Sequence, residues 1–119
     1  MKIAISTSGN DLESAVDPRF GRCGKFIIID KDSGNFEVVD NPNATAGGGA
    51  GIQTAQLVAD KGVEVVLTGN VGPNAFRTLE SAGIKIITGV DGTVKSAFEK
   101  FKSGELESTG GPTKQGHWS

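Results

Sequence analysis

The apolar positions change period partway along the chain. Lys2-Ile-Ala-Ile-Ser6 alternates as a strand does, and a polar loop begins at Thr7. Lys25 to Asp30 and Phe36 to Asp40 are two further β runs, joined by Lys-Asp-Ser-Gly-Asn, and read as a hairpin. Asn41-Pro42-Asn43 breaks the pattern, and helical spacing follows. Ile52, Ala55, Val58 and Ala59 share one helical face, and Lys61-Gly62 closes that helix. Val63 to Leu67 predicts a short buried strand. Gly72-Pro73 opens a second helix with buried stripe Phe76, Leu79 and Ala82, and Gly83 ends it. Ile84 to Ile87 is a fifth strand. Asp91 is placed to cap a third helix, in which Val94, Ala97, Phe98 and Phe101 are spaced i, i+3, i+4, i+7 and which Gly104 ends.

The element order is therefore β-β-β-α-β-α-β-α. With the first strand drawn upward, an antiparallel meander and two right-handed crossovers leave strands four and five parallel to strand one. Five segments then collect at the upper edge: the loop after Ser6, residues 17–23, the glycines opening the first helix, Thr68 to Pro73, and Thr88 to Asp91. Open α/β sheets bind ligands beyond the carboxyl ends of their parallel strands.

The chain has 119 residues, one domain's worth, which we place at 1–104 with a loose tail at 105–119. A formal charge of −2 gives no electrostatic case for nucleic-acid binding. The longest apolar run, Phe26 to Ile29, is far short of the ~20 residues that span a bilayer. The amino terminus lacks the layout of a signal peptide, so a cytoplasmic protein is expected. One cysteine forbids an internal disulfide. Eighteen glycines stand out against an average of about 7%.

Gly47, Gly48, Gly49 and Gly51 at the first helix, and Gly69, Asn70, Gly72 and Asn74 at the second, are candidate anion-binding positions. Helix amino termini offer unpaired N–H groups and a partial positive charge, and glycine lets a ligand approach the main chain. Arg19, Arg22 and Lys25 add to that field. The alternative is that these glycines only make tight turns, and that the arginines only brace their loop against Asp17. Neither a Walker A ending nor a complete dinucleotide fingerprint is present.

Val16-Asp-Pro-Arg-Phe-Gly-Arg-Cys23, Gly49-Ala-Gly-Ile-Gln53 and Val65-Val-Leu-Thr-Gly-x-x-Gly-Pro-Asn-Ala75 resemble the dinitrogenase iron-molybdenum cofactor biosynthesis family, which includes NifX, NafY and the carboxyl-terminal domain of NifB. The resemblance runs from about residue 1 to 102. It implies a ribonuclease-H-like α/β fold, a five-stranded mixed sheet of order 3-2-1-4-5 with strand two antiparallel and flanking helices. It also implies binding and delivery of an iron–sulfur or iron–molybdenum type cofactor, or its precursor; a carrier or scaffold without turnover, partnered by a donor or acceptor protein, is the favoured reading. A nuclease reading is disfavoured because the first strand carries no acid, while Asp11, Glu13 and Asp17 read as solvated loop residues.

Such clusters are anionic and are held by thiolates or imidazoles. Cys23 beside Arg22 is the candidate metal ligand, its thiol pKa expected to be lowered by the cation; its alternative is a small buried hydrophobe. His117, the one histidine, is a second candidate ligand if the tail folds over the rim, and otherwise a solvated tail residue. Two other functions stay open: an enzyme acting on a phosphate or nucleotide at the same rim, and a redox-sensing interaction module built on Cys23. A monomer or weak homodimer is expected.

Overall fold

A computed structural model describes residues 1–44 and 49–108. The candidate positions Gly47, Gly48 and His117 lie outside the described residues, as does the tail from 109. Five strands, β1 (Lys2–Thr7), β2 (Lys25–Asp30), β3 (Phe36–Asp40), β4 (Val63–Leu67) and β5 (Lys85–Ile87), form one sheet in the order β3-β2-β1-β4-β5. β2 is antiparallel to both β1 and β3, while β4 runs parallel to β1 and β5 to β4. The expected mixed sheet is therefore present, with the helices α1 (Ala50–Asp60), α2 (Pro73–Ser81) and α3 (Val94–Lys102). No helix is long and apolar enough to cross a membrane among the described residues.

Alternation along each strand feeds two cores. Ala4, Phe26, Ile28 and Val66 turn to the face that carries α1 and α2, where they meet Ala55, Val58, Phe76 and Leu79. Ile3, Ile5, Ile27, Ile29, Val65 and Leu67 turn the other way and meet Val94 and Ala97 of α3. Burial of Ile3–Thr7 in β1, Phe26–Ile29 in β2 and Val65–Leu67 in β4 on both faces is the physical consequence of this three-layer arrangement. Leu106, past the end of α3, also packs against this second core.

The helices close as expected on Gly62, Gly83 and Gly104. At Gly83 (φ 76°) the amides of Gly83 and Ile84 donate to Glu80 O and Leu79 O, a pattern that needs the left-handed backbone. Some side-chain faces differ from the spacing. Ile52 and Ala82 are exposed, and Thr54 occupies the buried face of α1 in place of Ile52. Thr54 is tolerated there because its hydroxyl bonds Gly21 O at 3.2 Å. Phe98 and Phe101 are half-buried, with Lys102 and Lys31 ammonium groups over their rings.

Asp91 does not cap α3. Thr93 does, its side chain accepting from the Ser96 amide while the Ser96 hydroxyl accepts from the Thr93 amide, both at 3.1 Å. The other two first-turn amides are filled by the loop after β1, with Val94 N–H donating to Ser14 O and Lys95 N–H to Leu12 O. The amino terminus of α3 is thus closed by the protein itself. Thr93→Ala is expected to cost about 1 kcal/mol, read as a lower urea midpoint with an unchanged slope; a wild-type midpoint would mean that water replaces the cap without loss.

Candidate functional site

Where the carboxyl ends of β1 and β4 meet, residues 17–23 are fastened to the turn between β4 and α2. Asn70 N–H donates to Pro18 O at 2.7 Å and Phe20 N–H donates to Asn70 O at 3.2 Å. This approach requires a glycine at 69, since a Cβ there would stand 2.6 Å from Pro18 Cα and 2.8 Å from its carbonyl oxygen. Beneath, a Cβ on Gly21 would meet Gly51 Cα at 3.1 Å, and one on Gly51 would meet Ala75 Cβ at 3.1 Å. The loop, α1 and α2 are therefore stacked at near contact.

A cleft of about 250 Å³ lies over that stack, half open to solvent. Arg19, Gly21 and Arg22 form one wall, Gly49, Ala50 and Gly51 a second, and Asn70, Gly72, Pro73, Asn74 and Ala75 the third. Neither α1 nor α2 has a side-chain cap: their capping residues are Gly49, in the left-handed region at φ 87°, and Gly72. Both helices direct their amino termini at the same space, in contrast with the closed α3. Gly69 sits behind the cleft wall as the point of close approach.

Three of the five expected segments line the cleft. The loop after β1 and the β5–α3 turn reach the same sheet edge but pack on the α3 face. Val16 N–H donates to Gly92 O, and the amides of Gly89 and Val90 donate to Gly69 O and Thr68 O. They buttress the site from behind. A buried hydroxyl pair ties the layers, Ser6 Oγ donating to Asp17 O at 2.6 Å and lying 2.7 Å from Thr68 Oγ1.

Asp17 is not the solvated turn residue expected from sequence. It is only 8% exposed, and its oxygens accept from the Arg19 amide at 2.9 Å and from Arg19 Nε and an Arg19 terminal nitrogen at 3.2 and 3.3 Å. The pairing raises the guanidinium pKa further, through the Asp17 hydrogen bond first and its charge second. Arg19 thus does both things proposed for it, bracing the loop and standing at the cleft. Arg22 is exposed at the opposite side of the loop, with one nitrogen 3.4 Å from Ala44 O. Lys25 does not add to the field, because its ammonium is held 2.6 Å from Asp40.

Cys23 calls for a correction. Its side chain is fully buried in the core with Phe20 and Phe26, and Sγ–H donates to Phe20 O at 3.3 Å. Burial, with the Asp17 charge second, pushes the thiol up to about 12, so the pKa moves opposite to the lowering expected from Arg22. The loop turns at Gly21–Arg22 so that arginine faces water and the following residue faces the sheet. Among the described residues, no group of three or more His, Cys, Asp or Glu side chains is placed to hold a metal ion. Residues not singled out from sequence also shape the site. Asn41 is buried and donates to Cys23 O at 2.9 Å, while its Oδ1 lies 3.3 Å from the Thr54 hydroxyl, linking the loop to α1. The Asn-Pro-Asn break marked a turn there, without indicating which way its first side chain points.

The raised thiol pKa has a stability consequence. An unfolded cysteine begins to lose its proton near pH 9, whereas the folded one keeps it toward about 12. Stability from this group is intact below about pH 9 and falls as pH rises through that window. The chain has no tyrosine to confuse the reading. Between about pH 8 and about pH 10.5 the wild type should lose about 2 kcal/mol more than Cys23→Ala. Equal losses in urea titrations would mean that the folded state accommodates a thiolate.

Residues 1–104 match the family model described as dinitrogenase iron-molybdenum cofactor. The apo form of the orange protein from Desulfovibrio gigas is similar in structure, with a TM-score of 0.93 and 42% identity over 95% of this chain and 96% of that one. A Thermotoga protein described as a candidate NifB has a TM-score of 0.84 and 44% identity, covering 97% and 98%. An uncharacterized protein of Methanocaldococcus jannaschii is 32% identical over 110 residues, 90% of each chain. With a match across nearly the whole described fold, this chain belongs to the dinitrogenase iron-molybdenum cofactor family.

Proposed function

We propose that the protein carries an anionic metal–sulfur cluster, of iron–sulfur or iron–molybdenum type or a precursor, in this cleft and passes it on unchanged. The observation that carries the reading is the convergence of two uncapped helix amino termini and two arginines on one half-open space. Asp17 offsets Arg19, and the two helix ends contribute about half a positive charge each to the field of the cleft. That field complements a small polyanion. The family membership supports metal–sulfur cargo over other anions.

The donor set shapes how the cargo is held. Main-chain amides and guanidinium groups donate hydrogen bonds to sulfide or oxo ligands at the cluster surface. With Cys23 turned into the core, the described cleft offers no thiolate or imidazole for a bond to the metal. Cargo held by charge and hydrogen bonds leaves without breaking a coordinate bond, which suits transfer between a donor and an acceptor. Carriage without turnover is favoured by the lining among the described residues, arginine, asparagine, Phe20 and small residues, which presents no carboxylate or imidazole to move a proton.

Anaerobic reconstitution with iron and sulfide, or titration with isolated iron-molybdenum cofactor, should give a visible absorption band and retained metal and sulfide. Arg22→Gln should weaken retention about tenfold, and Cys23→Ala should leave it within about twofold. A larger loss in the cysteine variant would make sulfur a ligand. If no cluster is retained while inorganic phosphate or a nucleotide raises the melting temperature, a phosphate-binding reading replaces this one.

Gly72 gives a separate check, because its backbone is extended (φ −76°, ψ 168°) and its Cβ position is open space. Gly72→Asp should cap α2 and raise stability by a few tenths of a kcal/mol, yet abolish cluster retention by placing a carboxylate in the cleft. A variant that gains stability and keeps its cargo would sink the proposal that this helix end holds the anion.

A further inference from the structure

The sheet ends at β3, whose outer main-chain groups have no hydrogen-bond partner among the described residues. Asp30 N–H donates to Asn35 O and Asn41 N–H donates to Gly24 O, at 2.8 and 2.9 Å. In an antiparallel ladder the main-chain groups of alternate residues turn to opposite sides. Glu37 and Val39 therefore direct their N–H and C=O groups at β2, and Phe36, Val38 and Asp40 direct theirs away from the sheet. Soluble proteins blunt such an edge with charged side chains, above all lysine, with proline or with a bulge. β3 carries the carboxylates Glu37 and Asp40 but no lysine or proline, and its register with β2 is unbroken from Phe36 to Asp40. Phe36 (42% exposed) and Val38 (37%) lie on the α3 side of this edge, opposite Ile29 and Ile27.

We propose that this edge binds β3 of a second copy of the chain, antiparallel about a two-fold axis through Val38, so that two sheets join into one of ten strands. Self-complementarity selects the partner and the register. Outward-facing residues must oppose outward-facing residues, and centring on Val38 pairs all three. Sliding the pairing toward the amino terminus sets Glu37 against Glu37 of the second copy, like charges directly opposed. Sliding it the other way sets Phe36 against Pro42, which has no N–H to give. In the centred register, Val38 meets Val38. Asp40 meets Phe36 of the second copy, with the Asp40 charge already balanced by Lys25 at 2.6 Å.

The pairing also leaves the cleft free. β1 and β3 run parallel, both being antiparallel to β2, and the two-fold reverses β3. The two clefts consequently open at opposite ends of the joined sheet. A five-residue ribbon covers less than the roughly 1,200 Å² of a stable interface, so association is weak, in the range of tens to hundreds of micromolar.

Sedimentation of the full chain over an approximately hundredfold concentration range, spanning those values, should show its mass rising from one chain toward two. Amide exchange should slow with concentration at Phe36, Val38 and Asp40 and stay unchanged at Glu37 and Val39. Val38→Lys and Val38→Glu should each be monomeric alone and form a mixed dimer together. A mass that never rises overturns the proposal. So does a dimer that survives Val38→Lys, which would use another surface. Protection of the three outward amides at every concentration in a monomer would mean that another part of the same chain covers the edge, and overturns it as well.

Discussion

The site depends on how closely residues 17–23 approach the turn after β4. Two main-chain hydrogen bonds between Pro18–Phe20 and Asn70 act as a short piece of ladder, and they form only because position 69 lacks a side chain. Everything on the cleft side follows from that approach. It sets Gly21 on Gly51 and Gly51 on Ala75, which fixes the spacing between the two helix amino termini. It also orders Arg19, whose guanidinium is aimed by the buried Asp17 carboxylate. A carboxylate at 8% exposure would be costly alone; here three N–H donors surround it, one from the main chain.

The helix ends show where local stability is given up. α3 fills its first-turn amides with a capping box and two loop carbonyls, while α1 and α2 begin at glycine without a side-chain cap. An N-cap side chain contributes about 1 kcal/mol over alanine but only a few tenths over glycine. The cost of the open ends is therefore small, and it is confined to the face where a ligand can supply the missing partner. Local rules are broken most often where function requires it. The difference between α3 and its two neighbours follows that division, one helix completing the core and two completing the cleft.

Much of this was legible in sequence because it rests on period and punctuation. Five strands, three helices, the hairpin and the three glycine stops come from spacing and turn residues, and strand direction follows from crossover handedness. The misplacements share a cause, which is that single polar or small residues have more than one good environment. Asp91 and Thr93 are both sound N-caps, and only the reciprocal bond from Ser96 selects the second. Thr54 looks solvated until Gly21 O and Asn41 are seen to satisfy its hydroxyl. Asp17 reads as a loop acid until Arg19, two residues on, folds back over it. Whether Arg22 or Cys23 faces the cleft is one choice of loop direction, and no periodicity records it.

That choice bears on how the cleft would hold the proposed cargo. With the sulfur outside, a cluster would be bound by coordination, and its release would require a competing ligand or a proton for the thiolate. With the sulfur inside, protonated up to about pH 12, neither condition applies. On the carrier proposal, the holding force would be electrostatic, partly screened by salt and sensitive to any acceptor that presents a stronger ligand. On the same proposal, the acceptor's bond to the metal would set the direction of transfer, and the cleft would hold charge while leaving the metal's coordination positions for the next protein. The fold that buries the thiol to complete its core would, on that proposal, also leave the cargo without a protein–metal bond to break.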